Sequence, residues 1–213
     1  ASGDCSTCAN RRKHQPGSGR GWMKVQGQVT GLNRIIHDLR DVDIPELCAH
    51  FNERLPLIRN AQGVREKNNV AIIEELLAGH GQAVPVDYKF HCFSGGQPGG
   101  AIFLQLTTGR FVARRHSYFD EGGTPVSLGI GRGERHDVTP QLPENIHEMF
   151  AVAKSLAEGF DYIRVDLYNV GGRIYFGEFS PFHQGGFGPV SSRGWDKALG
   201  DLWRFRLPAY QPQ

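Results

Sequence analysis

The sequence has little cysteine, no long apolar run and almost no excess of charge of either sign. Its four cysteines do not form the dense pattern of a disulfide framework, so we expect a reducing, cytoplasmic environment. No stretch approaches the ~20 apolar residues of a membrane-spanning helix, and residues 1–15 do not resemble a signal peptide. The formal net charge of +2 gives no electrostatic reason to expect nucleic acid as a partner.

Common metal and nucleophile motifs are missing as well. Cys5 and Cys8 form one C-x-x-C, but no second ligand pair follows at similar spacing, so we interpret them as ordinary thiols rather than as a zinc site. The nine histidines include no H-E-x-x-H pair. No G-x-S-x-G motif indicates a Ser-His-Asp hydrolase. The sequence therefore points away from zinc-dependent and serine-dependent hydrolysis.

What the sequence does contain is a pattern typical of an α+β protein. The 213 residues are long enough for one domain or two small lobes with a core. A helix is predicted over 144–158, because Pro143 starts an apolar stripe and Gly159 follows its end. Strands 160–168 and 173–179 follow, and the order helix, strand, turn, strand predicts an antiparallel sheet. Further strands are expected at 70–73, 87–93, 102–106 and 109–114, helices at 31–59 and 195–207, and a long surface connection at 120–143.

The strand at 160–168 separates polar from apolar side chains. Because successive side chains of a strand point to opposite faces, Arg164 and Asp166 share one face and Ile163, Val165 and Leu167 share the other. The apolar set must face the core. Arg164 and Asp166 are therefore predicted to line a polar cleft.

The face of Glu178 depends on the turn that joins the two strands. A three-residue turn at 170–172, with Gly172 in the third position, pairs Arg164 with Glu178 and Asp166 with Phe176. Glu178 then lies on the same face as Asp166. A four-residue turn would shift the register by one residue and bury Glu178 on the apolar face. We predict the three-residue turn.

Two carboxylates and one guanidinium on one face have two interpretations. Mg²⁺ is usually held by one or two carboxylates together with substrate phosphates, so Asp166 and Glu178 are candidate metal ligands. Arg164 could stabilise the charge that develops on a transferred phosphoryl group or an acyl phosphate. The alternative is an ordinary ion pair on the surface of a sheet.

Residues 160–170, FDYIRVDLYNV, and 172–179, GRIYFGEF, resemble the teichuronopeptide-biosynthesis (TupA-like) ATP-grasp family. The segments IIEELL at 72–77, DYKFHCFSG at 87–95 and WDKALG at 195–200 are similar to further stretches of that family. The resemblance covers roughly residues 66–205.

The resemblance implies the ATP-grasp fold, in which two α+β lobes with antiparallel sheets clamp ATP. Residues 1–77 would form a short or incomplete N-terminal lobe that ends in the hinge between the lobes, and residues 78–213 would form the C-terminal lobe with the metal site. At the hinge, Glu74, Glu75 and Leu77 would contact the adenine of ATP.

The same resemblance implies roles for five residues of the C-terminal lobe. Asp87 would contact the ribose, and Lys89 would contact the phosphates of ATP. Asp166 and Glu178 would hold Mg²⁺, and Arg164 would lie beside the reacting phosphate. Arg164, Asp166 and Glu178 are therefore the implied catalytic residues.

The N-terminal third follows the family less closely. The family pattern K-x-N-H-G-S-G is similar to Lys13 through Gly19, with Pro16 in place of its histidine. Gly17, Ser18 and Gly19 would form the phosphate loop, since glycines allow backbone N–H groups to approach phosphate oxygens. A solvated linker is the alternative. The lobe that usually precedes this region is missing, so we expect a fragment or a short member that needs a partner subunit.

Three functions are open at this point. The first is a ligase that uses ATP to join a carboxylate to an amine, in cell-surface polysaccharide or polypeptide assembly. The second is a kinase that phosphorylates a hydroxyl, and the third is a non-catalytic nucleotide-binding domain. Residues 183–187 follow the metal strand and would lie near the acceptor. Ser180 occupies a position where related ligases carry asparagine, and we leave it out of the metal ligands.

Overall fold

A computed structural model of the chain describes residues 21–25, 34–36, 42–46, 49–50, 53, 71–75, 77, 85–93, 100–109, 113–131 and 133–204. The chain divides into two compact units, Ala1–Leu77 and Ala78–Gln213. The assignment of these units to the two ATP-grasp lobes stays a prediction. Within the described ranges, no helix combines the length and the apolar character needed to span a membrane.

The first unit contains a three-stranded antiparallel sheet with the order β2-β1-β3. Its strands are β1 (Gly21–Val25), β2 (Arg34–Ile36) and β3 (Ala71–Glu75). The helix predicted over 31–59 is wrong at residues 34–36, which form β2. This strand pairs with β1 in an antiparallel ladder in which Trp22 is opposite Ile35. Tertiary pairing of this kind overrides a weak helical spacing. Residues 44–46 of this segment are helical, and Asp43 caps them, since the Glu46 backbone N–H donates to the Asp43 carboxylate at 3.0 Å.

The second unit is built on a seven-stranded sheet with the order β10-β9-β4-β5-β6-β7, and β8 pairs in parallel with β6. The strands are β4 (Asp87–Phe93), β5 (Ala101–Thr108), β6 (Arg115–Phe119), β7 (Pro125–Val126), β8 (Glu134–Arg135), β9 (Tyr162–Val170) and β10 (Arg173–Ser180). The helices are α1 (Ile146–Leu156), a 3-10 helix (His183–Gly186) and α2 (Arg193–Leu202).

One face of the large sheet is apolar and packs against α1. Ile163, Val165 and Leu167 lie in this core, as the alternation along β9 predicts. Phe90 of β4 meets Phe150 of α1 edge to face, with ring centroids 5.0 Å apart. The helix predicted over 144–158 is confirmed as α1. It places its buried residues, Ile146, Met149, Phe150 and Ala153, on this face.

Two expectations about the middle of the chain are wrong. The strand predicted at 109–114 is wrong at the residues of that segment that the structure describes, because Gly109, Ala113 and Arg114 lie outside any strand and β6 begins at Arg115. Gly109 turns the chain with φ of 65°, and its backbone lies close to that of Ala113. The connection at 120–143 is not wholly on the surface. Leu128 and Ile130 are buried in a second core beside Tyr118. Burial of these two apolar side chains away from water favours the folded state.

The closing helix predicted at 195–207 is found as α2. Ser192 caps it, since its hydroxyl accepts a hydrogen bond from the Trp195 backbone N–H at 3.2 Å. Leu199 of α2 enters the second core. Trp203, just after the helix, stacks near Tyr162 with ring centroids 4.8 Å apart.

Candidate functional site

The face of the large sheet opposite α1 carries polar side chains on five neighbouring strands. The strand registers align these positions, as Lys89 is opposite both Gln105 and Asp166. Most of the set is buried. Burial of a polar group costs free energy unless the group is hydrogen-bonded or paired, so these side chains need partners within the protein. Its members are Asp87, Lys89, His91, Gln105, Thr107, His116, Arg164, Asp166, Glu178 and Ser180. We call this set the polar face.

Arg164 lies at the centre of the polar face. Its Nε and Nη2 donate to the two carboxylate oxygens of Asp166 at 2.6 and 2.8 Å, which is a bidentate pairing. Nη2 also donates to the Ser180 hydroxyl at 2.8 Å and lies 3.5 Å from Glu178 Oε1. Nη1 lies 3.3 Å from His183 Nδ1. One guanidinium therefore ties two carboxylates, a hydroxyl and an imidazole together.

Lys89 approaches the same carboxylate from the neighbouring strand. Its Nζ lies 2.7 Å from Asp166 Oδ2 and 3.9 Å from Asp87 Oδ1. Burial acts to raise the pKa of Asp166, but Lys89 and Arg164 outweigh it, so that pKa is lowered. Burial acts to lower the pKa of Arg164, but Asp166 and Glu178 raise it overall. The buried ions of this cluster are therefore kept charged by one another.

Glu178 reaches the polar face through a β-bulge that sequence reasoning missed. The turn has two residues, Gly171 and Gly172, with φ of 59° and 80°, so the predicted three-residue turn and its pairing are wrong. Positive φ at both positions is typical of a tight hairpin turn. In this register Glu178 would fall opposite Val165 on the apolar face, but the ladder shifts at Gly177 and pairs Glu178 with Asp166 instead.

Glycine suits the bulge position because space is short there. A Cβ at Gly177 would lie 3.0 Å from the carbonyl oxygen of Asp166 and 3.0 Å from the Tyr168 ring. The face predicted for Glu178 is thus confirmed, although the reason is the bulge rather than the length of the turn.

A network of neutral side chains continues the polar face away from the charges. His91 Nδ1 lies 2.9 Å from the Tyr162 hydroxyl, and Nε2 lies 2.9 Å from Gln105 Oε1. The Gln105 amide nitrogen and the Thr107 hydroxyl both meet His116 Nδ1, at 3.2 and 2.9 Å. Because an amide oxygen only accepts, His91 carries its proton on Nε2 and accepts from Tyr162 at Nδ1.

Burial, reinforced by positive neighbours, keeps both histidines of this network uncharged. It lowers the pKa of His91 to about 3 and that of His116 to about 4. Sequence reasoning assigned His91 no functional role. Its place two residues after Lys89 was the available signal that it shares the polar face.

The predicted site residues fall into three groups. Asp87, Lys89, Arg164, Asp166 and Glu178 all lie on the polar face of the second unit. The remaining predictions lie elsewhere: Glu74 and Glu75 are on β3 and Leu77 follows it in the first unit, and Lys13, Gly17, Ser18 and Gly19 are outside the described residues.

The donor chemistry of the polar face fits a magnesium ion. In the part of the chain that the structure describes, no group of three or more His, Cys, Asp or Glu side chains could hold a metal by itself. Asp166 and Glu178 instead offer two carboxylates beside one guanidinium. Mg²⁺ is commonly held in this way, by one or two carboxylates with substrate phosphates supplying further oxygens.

Comparison with known proteins finds a matching family. A family model described as TupA-like ATPgrasp matches residues 29–204. A search of curated proteins finds no match. The matched range includes the whole polar face and excludes the Gly-Ser-Gly loop at 17–19. The antiparallel sheet with few helices has the α+β character of such proteins, and the chain belongs to the TupA-like ATP-grasp family.

Proposed function

We propose that this protein is an ATP-dependent ligase that joins a carboxylate to an amine through an acyl phosphate, in cell-surface polysaccharide or polypeptide assembly. Membership in the family supports an ATP-dependent activity of the ligase or kinase type. The observation that carries the proposal is the buried cluster in which Arg164 joins Asp166 to Glu178 while Lys89 pairs with Asp166.

The cluster suits the triphosphate of ATP because the guanidinium of Arg164 is held in place before the nucleotide binds. Lys89 would contact the phosphates and Asp87 the ribose. Asp166 and Glu178 would hold Mg²⁺, which, when bound, neutralises phosphate charge and stabilises the transferred group. At present both oxygens of Asp166 accept from cations, so Lys89 would turn from Asp166 towards the phosphates.

The reaction has two steps. A carboxylate oxygen of the substrate attacks the γ-phosphorus of ATP, the bond to ADP breaks, and an acyl phosphate forms. The amine nitrogen then attacks the acyl carbon, a C–N bond forms, phosphate leaves and the nitrogen loses a proton to solvent. Negative charge grows on the phosphoryl oxygens in the first step and on the acyl oxygen in the second.

Arg164 is the group best placed to stabilise that charge. It is nearly buried, where charge interactions are stronger than in water, and its pairing with Asp166 fixes its plane. A donor that is already oriented needs no rearrangement when charge develops. We therefore assign Arg164 to the reacting phosphoryl group, with Asp166 and Glu178 as its supports and as the carboxylates for the metal.

The test begins with nucleotide binding by the complete chain. Calorimetry with a non-hydrolysable ATP analogue, with and without Mg²⁺, should show binding that requires the metal. Absence of binding would rule out the proposed function, and binding without release of ADP would favour a non-catalytic nucleotide-binding domain.

The second stage separates the ligase from the kinase. ADP release is measured with Mg-ATP and a panel of amino acids and uronic acids, with hydroxylamine added to trap acyl phosphate. A hydroxamate product supports the ligase. A phosphorylated hydroxyl with no hydroxamate would identify a kinase.

A further inference from the structure

His183 lies three residues after Ser180, the last residue of the strand that carries Glu178, and its side chain reaches back to Arg164. It begins the 3-10 helix, and the next residue, Gln184, has φ of 48°, the one positive value at a non-glycine residue in the described ranges. His183 Nδ1 lies 3.3 Å from Arg164 Nη1. The proposed reaction assigns no role to this imidazole.

The contact defines which nitrogen of His183 carries the proton. A guanidinium only donates, so Nδ1 must accept, and the neutral ring is protonated on Nε2. Burial, followed by the positive charge of Arg164, lowers the pKa of His183 to about 4. The imidazole is thus an uncharged acceptor beside the central cation of the polar face.

The backbone at two glycines packs closely against the ring of His183 and limits its orientation. A Cβ at Gly131 would lie 2.7 Å from His183 Nε2, and a Cβ at Gly188 would lie 3.0 Å from Cδ2. The two segments are joined where the Gly131 backbone N–H donates to the Pro189 carbonyl oxygen at 2.7 Å. On another side the ring of His91 lies edge-on, with centroids 5.1 Å apart. The imidazole therefore has little room to turn away from Arg164.

The hydrogen bonds of Arg164 show what this contact achieves. A guanidinium has five N–H groups. Nε and one Nη2 hydrogen go to Asp166, and the second Nη2 hydrogen goes to Ser180, with Glu178 nearby. One Nη1 hydrogen goes to His183, which leaves the other Nη1 hydrogen for a substrate oxygen.

We propose that His183 is a positioning residue for Arg164. Its Nδ1 accepts one Nη1 hydrogen and so directs the remaining Nη1 hydrogen towards the oxygen of the transferred phosphoryl group. This inference rests on the proposed function. Because Lys89 and the metal carboxylates are untouched, His183 should influence turnover rather than the affinity for ATP.

The experiment compares two replacements of similar shape. His183→Leu removes the acceptor, and His183→Asn keeps an acceptor oxygen close to the position of Nδ1. His147→Leu, the same change at an exposed position of α1, is the control and should keep wild-type turnover. ADP release from Mg-ATP is measured with the amino-acid and uronic-acid panel, and thermal melts check folding.

We expect His183→Leu to lower kcat by about 10- to 100-fold, the range usual when a residue that orients a functional group is lost. The KM for ATP should stay within about threefold of wild type, because the substitution leaves the contacts that bind ATP in the ground state unchanged. His183→Asn should recover most of the loss. Equal loss in both variants would mean that the ring only packs, and wild-type kcat in His183→Leu, or a change in KM alone, would also overturn the inference.

A second measurement does not depend on turnover or on the variants. Long-range ¹⁵N–¹H spectra of wild type at pH 7 should show His183 protonated on Nε2 and unprotonated on Nδ1. A proton on Nδ1 would overturn the inference even if the enzyme is active. If wild type releases no ADP and binds no nucleotide, the proposed function fails while the tautomer still decides whether His183 accepts from Arg164.

Discussion

Lowering the pH from 7 to 5 should reduce the free energy of unfolding of this protein by about 2 kcal/mol through His91 alone. His91 is fully buried, and its two nitrogens face Tyr162 and Gln105. Burial is the largest reason that its pKa is lowered from 6.5 to about 3, and the positive charge of Arg164 adds to it. The folded protein therefore does not bind this proton at either pH.

The unfolded chain does bind it. With an ordinary histidine pKa of about 6.5, the unfolded imidazole is about one quarter protonated at pH 7 and almost fully protonated at pH 5, which lowers the free energy of the unfolded state by about 2 kcal/mol. The stabilisation is complete above pH 6.5 and is lost as the pH falls towards 3. His116 and His183, whose pKa values are both lowered to about 4, act in the same direction.

The assay is urea unfolding at pH 7 and pH 5 and constant ionic strength, followed by tryptophan fluorescence. His91→Gln is the informative variant, because glutamine can hydrogen-bond but does not titrate. This variant should be less stable than wild type at pH 7. Its free energy of unfolding should, however, fall by about 2 kcal/mol less than that of wild type between pH 7 and pH 5. An equal loss in wild type and variant would refute the argument that a buried neutral His91 causes the acid sensitivity.

Three further predictions concern the nucleotide site and the hairpin. Lys89→Ala should weaken binding of a Mg-ATP analogue by ~1.5–3 kcal/mol, because a charge-assisted phosphate contact is lost; unchanged affinity in calorimetry would rule out this role. Glu178→Gln should reduce ADP release by orders of magnitude, since metal stabilisation of the transition state is worth several kcal/mol. The Glu178 side chain is one quarter exposed, so the free energy of unfolding should change by only ~0–1 kcal/mol. Equal turnover in variant and wild type would mean that Glu178 only forms an ion pair with Arg164. Gly177→Ala should destabilise by about 1–3 kcal/mol in urea titrations, because its Cβ meets backbone at the bulge. The control Gly200→Ala, on α2 with nothing within 4 Å of the new Cβ, should instead stabilise by about 0.5–1 kcal/mol, and the same sign for both would contradict the packing argument.

Much of the second unit could be predicted from local pattern. Pro143, the apolar stripe and Gly159 predict α1 within two residues at each end, and Gly159 adopts φ of 86° just beyond it. The alternation along β9 separates Val165 from Arg164 correctly. These features depend on residues that are neighbours in the chain, so the sequence contains them directly.

The family and the central residues of the site were also accessible. The long motif at 160–179 predicts the TupA-like ATP-grasp family, which the family match confirms. It also selects Arg164, Asp166 and Glu178, which the structure brings into contact around one guanidinium. Their catalytic and metal-binding roles, and those of Asp87 and Lys89, stay predictions.

Local sequence patterns therefore predict α1, four strands of the polar face (β4, β5, β9 and β10) and the side chains of β9 that point away from the core. Long-range pairing in the folded chain sets the bulge at Gly177, the strands β2 and β6, and the partners of His91 and His183. His91 meets Tyr162, 71 residues away, because β4 and β9 are adjacent in the sheet. Strand pairing depends on the free energy of the whole ladder, and one shifted residue moves every later side chain to the other face. Contacts of this kind are properties of the assembled sheet, and no local stretch of sequence contains them.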